Sequence, residues 1–429
     1  MRRLDARAPG FAAAYAALLA ARGARSVEAE AVAARIIADV RARGFAAVAD
    51  QTRALDGVAL TPQTARIGED RINAAFAACD PAVIAALEVA ARRIADFHAR
   101  QVPGDARFTD ADGLTLGWRW TPVDAAGLYA PGGRAAYPSS VLMNALPAKA
   151  AGVARLAMVT PPGRLDENPA ILAAAKIAGV DEIWGVGGAQ AIAALAHGAD
   201  PIAPVDVIVG PGNAYVAAAK KLVFGDVGID SVAGPSEIFV IADADTPARW
   251  IAADLLSQAE HDEDAQAVLI TDDTAYGDAV AAAVETLLAE GRAAASARTS
   301  WERHGAIVLV GDLVDACALI DAAAPEHVEI AVADPEPLAA RIRHAGALFL
   351  GRHAPEALGD YVAGPNHVLP TERRARYASG LSTHHFMKRT TLVGADAAAL
   401  ARIGPAASRL AMAEGLPAHA TSIDVRFEP

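Results

Sequence analysis

Hydrophobic positions along the chain follow two rhythms that alternate: stripes spaced by three and four residues, and short unbroken apolar runs bounded by glycine or proline. The first rhythm opens the chain. Phe11, Tyr15, Leu18 and Leu19 fall at i, i+4, i+7 and i+8, which predicts an amphipathic helix rather than a secretory signal, because Asp5 and Arg7 interrupt the approach. The first hundred residues stay alanine-rich and helical, closing with a helix expected over 81–100 behind the start signal Asp80-Pro81. Around the turn pair Asp112-Gly113 the period drops to two, with Leu114, Leu116, Trp118 and Trp120 alternating, so a hairpin is expected.

From about 123 to 225 apolar runs and helical stripes take turns. Strands are expected over 155–160, 182–185 and 205–209, with helices over 168–178 and 189–196 and another after Gly210-Pro211-Gly212-Asn213. Such alternation implies right-handed crossovers and a parallel sheet covered on both faces. A second α/β unit is expected over 238–370, with strands at 238–242, 267–271, 306–310 and 347–350 and helices at 247–259 and 278–289. From Leu381 onward only a helix over 397–414 and a polar tail stand out, which reads as an arm.

A length of 429 residues calls for more than one domain, and 53% hydrophobic against 21% charged residues describes a chain able to bury large cores. The net charge of -13, with basic residues scattered, argues against nucleic-acid binding. No apolar run reaches the roughly 20 residues that a membrane span requires. Cys79 and Cys317 stand far apart without a C-x-x-C pair, which suits a reducing, cytoplasmic setting and gives no support to thiol catalysis.

Chemistry gathers in six places. Gly185-Val186-Gly187-Gly188-Ala189-Gln190 and Gly210-Pro211-Gly212-Asn213 each join a strand to a helix, where phosphates bind in open α/β sheets, although neither is a full G-x-G-x-x-G and a tight turn is the commoner meaning of such strings. Gln258 and His261 share one face at a helix end, which presents two ligands to one ion. Glu326 and His327 put a carboxylate beside the one side chain that titrates near neutrality. Asp360 and His367 sit in a loop punctuated by glycine and proline, and Glu414 and His419 lie near the carboxyl terminus. Taken singly, each pair also fits a solvated surface; Gln258, His261, Asp360 and His419 together would make a zinc set.

The strings GLYAPGGRAAYPSSVLMNALPAKAAGV, VGPGNAYVAAAKKLVFG, VGIDSVAGPSEIFVIAD, DLLSQAEHDEDAQAVLIT, APEHVEI, GDYVAGPNHVLPT and EGLPAHATSI resemble histidinol dehydrogenase, in order and over essentially the whole chain. The resemblance implies oxidation of L-histidinol to L-histidine, the last step of histidine biosynthesis, with two NAD⁺ reduced and one water consumed. It implies one Zn²⁺ per subunit on Gln258, His261, Asp360 and His419, the last from the partner, hence a homodimer with shared sites. Glu326 and His327 resemble the family's acid-base pair. Ser236, His367 and Glu414 would complete a substrate site that also includes the four metal ligands and the acid-base pair, while Tyr129, Gln190 and Asn213 resemble the positions that hold NAD.

The expected architecture is therefore α/β, with two incomplete Rossmann-like parallel-sheet domains and small terminal segments. Residues 1–24 form an N-terminal helical arm, and 25–128 with 239–380 a main domain carrying the metal and catalytic residues. Residues 129–238 form a second domain with the NAD-contacting loops, and 381–429 an arm that reaches the partner's site. Thr383-His384-His385 depart from the family's usual aromatic and acid, and the two imidazoles read as surface variation. Three rival readings remain: a relative that oxidises another alcohol such as a sulfonated diol, a zinc hydrolase, and a metal-stabilised binding protein.

Overall fold

In the computed structural model, which describes residues 1–21, 27–132, 137–165, 167–232 and 234–428, two parallel sheets and one antiparallel sheet organise the chain. The α/β class with two parallel-sheet units expected from the alternating pattern is what the structure has. The larger sheet has six strands in the order Arg2–Asp5, Ala306–Leu309, Gln266–Thr271, Glu237–Ala242, His327–Ala331 and Ala347–Leu350. Three of its four inner strands, 237–242, 266–271 and 327–331, are buried at every residue, as a sheet covered on both faces requires.

The amino terminus differs from the expected helical arm. Arg2–Asp5 is an edge strand paired in register with Ala306–Leu309, and the helix Phe11–Ala20 behind it buries Tyr15 and Leu18 against the same sheet. Four residues of mixed polarity carry no period, and an edge strand with one neighbour needs none. The expected boundary at residue 24 lies outside the described residues.

The second parallel sheet runs Glu182–Trp184, Arg155–Val159, Ala125–Tyr129, Val207–Val209 and Gly228–Ile229. One face is covered by the helices Pro138–Ala151 and Pro169–Ile177, with Pro81–Ala99 packed over them. The other face is covered by Gly188–His197 and Ala214–Val223, and outside these lie Val27–Arg43 and Phe45–Asp56. Residues 27–99, which the sequence groups with 239–380, thus cover the five-stranded sheet. Ala29, Ala33, Ile36, Ile37 and Val40 form a stripe that meets the alanine-rich 188–197 helix, whose small side chains admit close approach. Periodicity tells which face of a helix is buried, not which sheet receives it.

The hairpin at Asp112-Gly113 joins Ala106–Thr109 to Thr115–Pro122, with Asp110 Oδ1 accepting from the N–H groups of Asp112 and Leu114. Met387–Gly394 adds a third antiparallel strand, so the carboxyl-terminal segment is anchored to this small sheet before its helices Ala397–Ala413 and Pro417–Asp424 begin. Among the described residues no single helix is long and apolar enough to cross a membrane.

Candidate active site

His327 is the first residue of a central strand, held between 237–242 and 347–350. Gly346 lets the flanking strand come close, since a Cβ there would stand 2.5 Å from the Glu326 carbonyl oxygen. The peptide of Glu237 holds both residues of the expected acid-base pair. Its N–H donates to Glu326 Oε2 at 3.1 Å, and its carbonyl lies 3.1 Å from His327 Nδ1. A carbonyl only accepts, so Nδ1 carries the proton and Nε2 presents its lone pair. Nε2 has no hydrogen-bond partner among the described residues and faces Glu356 Oε1 at 3.8 Å and Asp360 Oδ1 at 4.0 Å. Burial lowers the His327 ring to about 4, against the pull of Asp360 the other way, so the imidazole is neutral at pH 7. Burial also pushes the Glu326 carboxyl well above its ordinary value.

Three ligand-bearing side chains converge beside this pair. His261 follows the end of the helix Ala248–Ala259, while Glu356 and Asp360 stand on one face of Glu356–Tyr361. Their ligand atoms lie within 4.8 Å of one another, with His261 Nε2 3.7 Å from Asp360 Oδ2. Gln258, one turn before His261, is fully buried, and neither atom of its amide has a hydrogen-bond partner among the described residues. An orphaned amide beside two crowded carboxylates and an imidazole is what a cation would satisfy, and mixed nitrogen and oxygen donors fit zinc and its neighbours. Burial, and then the charge of Asp360, raises Glu356 to about 9. Glu356 is a member of this group that the sequence reading did not pick out; its i, i+4 relation to Asp360 was the available signal.

His367 is oriented from both ends. Its Nδ1 donates to the Asp360 carbonyl at 2.8 Å, and Nε2 lies 3.2 Å from the Ser140 hydroxyl, which donates to it. Ser236 is half-buried and directly precedes Glu237. Glu414 and His419, by contrast, are exposed on the carboxyl-terminal helices and line a cavity of about 670 Å³ with Leu410, Ala411, Leu416 and Ser422. Within one chain His419 does not join the group of His261, Glu356 and Asp360.

The expected nucleotide residues sit at the carboxyl ends of the five-stranded sheet, where open α/β sheets bind ligands. Tyr129 ends its strand, and its hydroxyl accepts from the Gly188 N–H at 3.2 Å. Burial raises it to about 12, so it stays protonated. Gln190 is fully buried in the next helix with neither amide atom partnered among the described residues. Asn213 is exposed and caps the helix Ala214–Val223, its Oδ1 accepting from Tyr215 and Val216 N–H at 3.1 Å, which leaves its NH₂ for another acceptor. Asn144, absent from the sequence reading, is likewise buried with an unpartnered amide, one turn along its helix from Ser140. Unpartnered amides beside glycine turns fit a polar ligand such as a dinucleotide.

His384 and His385 part company. His384 is exposed, its ring edge-on to Trp120 at 5.7 Å. His385 is not surface variation: its Nδ1 accepts from Ser382 N–H at 3.2 Å, closing a short turn, and burial lowers the ring.

The family model described as histidinol dehydrogenase matches residues 20–427. A histidinol dehydrogenase of Rhodospirillum rubrum is 60% identical over 428 residues, covering 99% of this chain and 98% of that protein. One of Ruegeria pomeroyi is 58% identical, again covering 99% and 98%. A crystal structure of histidinol dehydrogenase from Elizabethkingia anophelis superposes with a TM-score of 0.93 at 33% identity, covering 100% of this chain and 98% of that one.

Proposed function

The chain belongs to the histidinol dehydrogenase family, oxidoreductases of histidine biosynthesis, and from that premise we propose that it oxidises L-histidinol to L-histidine through the aldehyde, reducing two NAD⁺. The observation that carries the reading is the neutral His327 ring, with Nδ1 fixed and Nε2 free toward His261, Glu356 and Asp360. Gln258, His261, Asp360 and His419 of the partner subunit would hold one Zn²⁺ per subunit, and Tyr129, Gln190 and Asn213 would hold NAD⁺. When bound, the metal orients the substrate's nitrogen donors and the nucleotide accepts hydride.

In each oxidation His327 Nε2 takes the hydroxyl proton as hydride leaves the same carbon; without that proton transfer the carbonyl cannot form. Between the oxidations a water adds to the aldehyde, and Glu326 accepts its proton. A carboxyl whose pKa is raised by burial is a stronger base once ionised, which suits that task. Ser236, His367 and Glu414 line the substrate, Glu414 supplying a charge-assisted hydrogen bond to a cationic or N–H donor group. The exposed position of Glu414 and His419 on the terminal helices supports a homodimer in which each arm completes the other's site.

We read 129–238 as the nucleotide unit, 239–380 as the unit of metal and proton transfer, and the cytoplasm as the setting. Supplying L-histidinol with NAD⁺ and following NADH absorbance tests the reading: two NADH per histidinol are expected. No NADH from histidinol, with NADH from a sulfonated diol, would replace it with the rival alcohol.

A further inference from the structure

Both backbone polar groups of Gly210 are held by buried charged side chains. Its N–H donates to Asp230 Oδ2 at 2.8 Å, and its carbonyl accepts from Lys220 Nζ at 2.8 Å. Lys220 and Asp230 also form an ion pair with each other, and each side chain is only 2% exposed. Lys220 lies two turns into the helix that Asn213 caps, and Asp230 follows the edge strand Gly228–Ile229. Gly210 itself has φ +115°, and a Cβ there would stand 2.3 Å from the Tyr129 carbonyl oxygen and 3.0 Å from Asn144 Nδ2. The clamp therefore fixes the start of a turn that no other residue type can enter, between Tyr129 on one side and Asn213 on the other.

A buried ion pair is a poor way to stabilise a fold, since apolar side chains of similar volume commonly do as well or better. What this pair adds is direction: two charged groups, each bonded to one polar group of a single residue, leave the turn one shape. Asp230 Oδ1 also accepts from the Ser231 N–H at 2.6 Å, so the same carboxylate sets the first residue of the segment leading to Ser236 and Glu237.

We propose that Lys220 and Asp230 are positioning residues for the nucleotide, clamping Gly210 so that Tyr129, Gln190 and Asn213 meet NAD⁺ in register. The inference rests on the reading that those three residues hold NAD⁺. It is tested on the full-length enzyme with D230N, which keeps an acceptor for the Gly210 N–H, and with the double variant K220M/D230N, which leaves no lone buried charge. Melting curves establish folding, NADH binding is read by tryptophan fluorescence, and both Michaelis constants are measured.

In the folded double variant the KM for NAD⁺ rises roughly tenfold or more, as expected for displaced binding groups, while the KM for histidinol stays within about twofold and kcat at saturating NAD⁺ is largely kept. D230N alone shows the smaller rise. Equal rises in both Michaelis constants, or an unchanged KM for NAD⁺ in either folded variant, overturn the proposal. Wild-type enzyme that does not bind NADH overturns the nucleotide reading and this inference together, whereas wild type that binds while folded variants bind equally well overturns the inference alone.

Discussion

The Nδ1–H of His327 donates to the main-chain carbonyl of Glu237 at 3.1 Å, and this one bond decides which ring nitrogen is left free. With Nδ1 occupied, the ring can take a proton only at Nε2, the atom turned toward His261, Glu356 and Asp360. Because the orienting group is backbone at the start of a central strand, no side-chain substitution removes it.

His327→Asn should therefore fold, since an amide still satisfies the Glu237 carbonyl, yet lose turnover by roughly 10²- to 10⁴-fold, the usual worth of a positioned base. Stopped-flow reduction of NAD⁺ together with a melting curve checks this. Activity within a few-fold of wild type, on the order of what a packing change produces, would remove His327 from its role.

Stability should depend on pH in a direction set by the buried carboxyls. Burial, then the charge of Asp254, raises Glu329 from 4.5 to about 9, and burial, then the charge of Asp360, does the same for Glu356. Each binds its proton more tightly folded than unfolded, so its contribution is whole below pH 4.5 and is lost as pH rises through about 9. Metal-stripped protein should melt progressively lower across that window. Zinc, by favouring the ionised forms, should shrink the fall, and a melting temperature that rises with pH in the stripped protein would contradict the assignment.

The proposed sharing of sites between subunits predicts complementation. Inactive His261→Ala and inactive His419→Ala chains, mixed under conditions where subunits exchange, should regain up to about a quarter of wild-type activity, because random pairing leaves one intact site in half of the dimers. Proven exchange without recovered activity would mean that each site is built within one chain.

How much of this was legible beforehand follows from what periodicity encodes. The buried strands at 238–242 and 267–271 and the glycine turns after 185 and 210 announce themselves, because a strand covered on both faces must be apolar throughout and a tight turn needs glycine. Arg2–Asp5 and Met387–Gly394 do not, since each mixes polar and apolar residues on a largely exposed edge without a steady period. The packing of 27–56 onto the five-stranded sheet is a choice between two apolar surfaces that local sequence cannot make. In the site, Glu326, His327, His261 and Asp360 stand in recognisable strings. Glu356 was hidden in a helix start, and the Lys220–Asp230 pair joins residues ten apart whose meeting depends on where a strand returns.

At the centre of the proposed enzyme is one ion gripped by residues of two subunits beside His327. Anomalous diffraction at the zinc edge, from crystals grown with zinc, tests it most directly. The predicted result is a single strong peak per subunit within about 2.0–2.2 Å of donor atoms from Gln258, His261, Asp360 and His419 of the partner subunit, at usual zinc distances. A peak elsewhere, or one at this group with position 419 of every chain remote from it, would contradict the account.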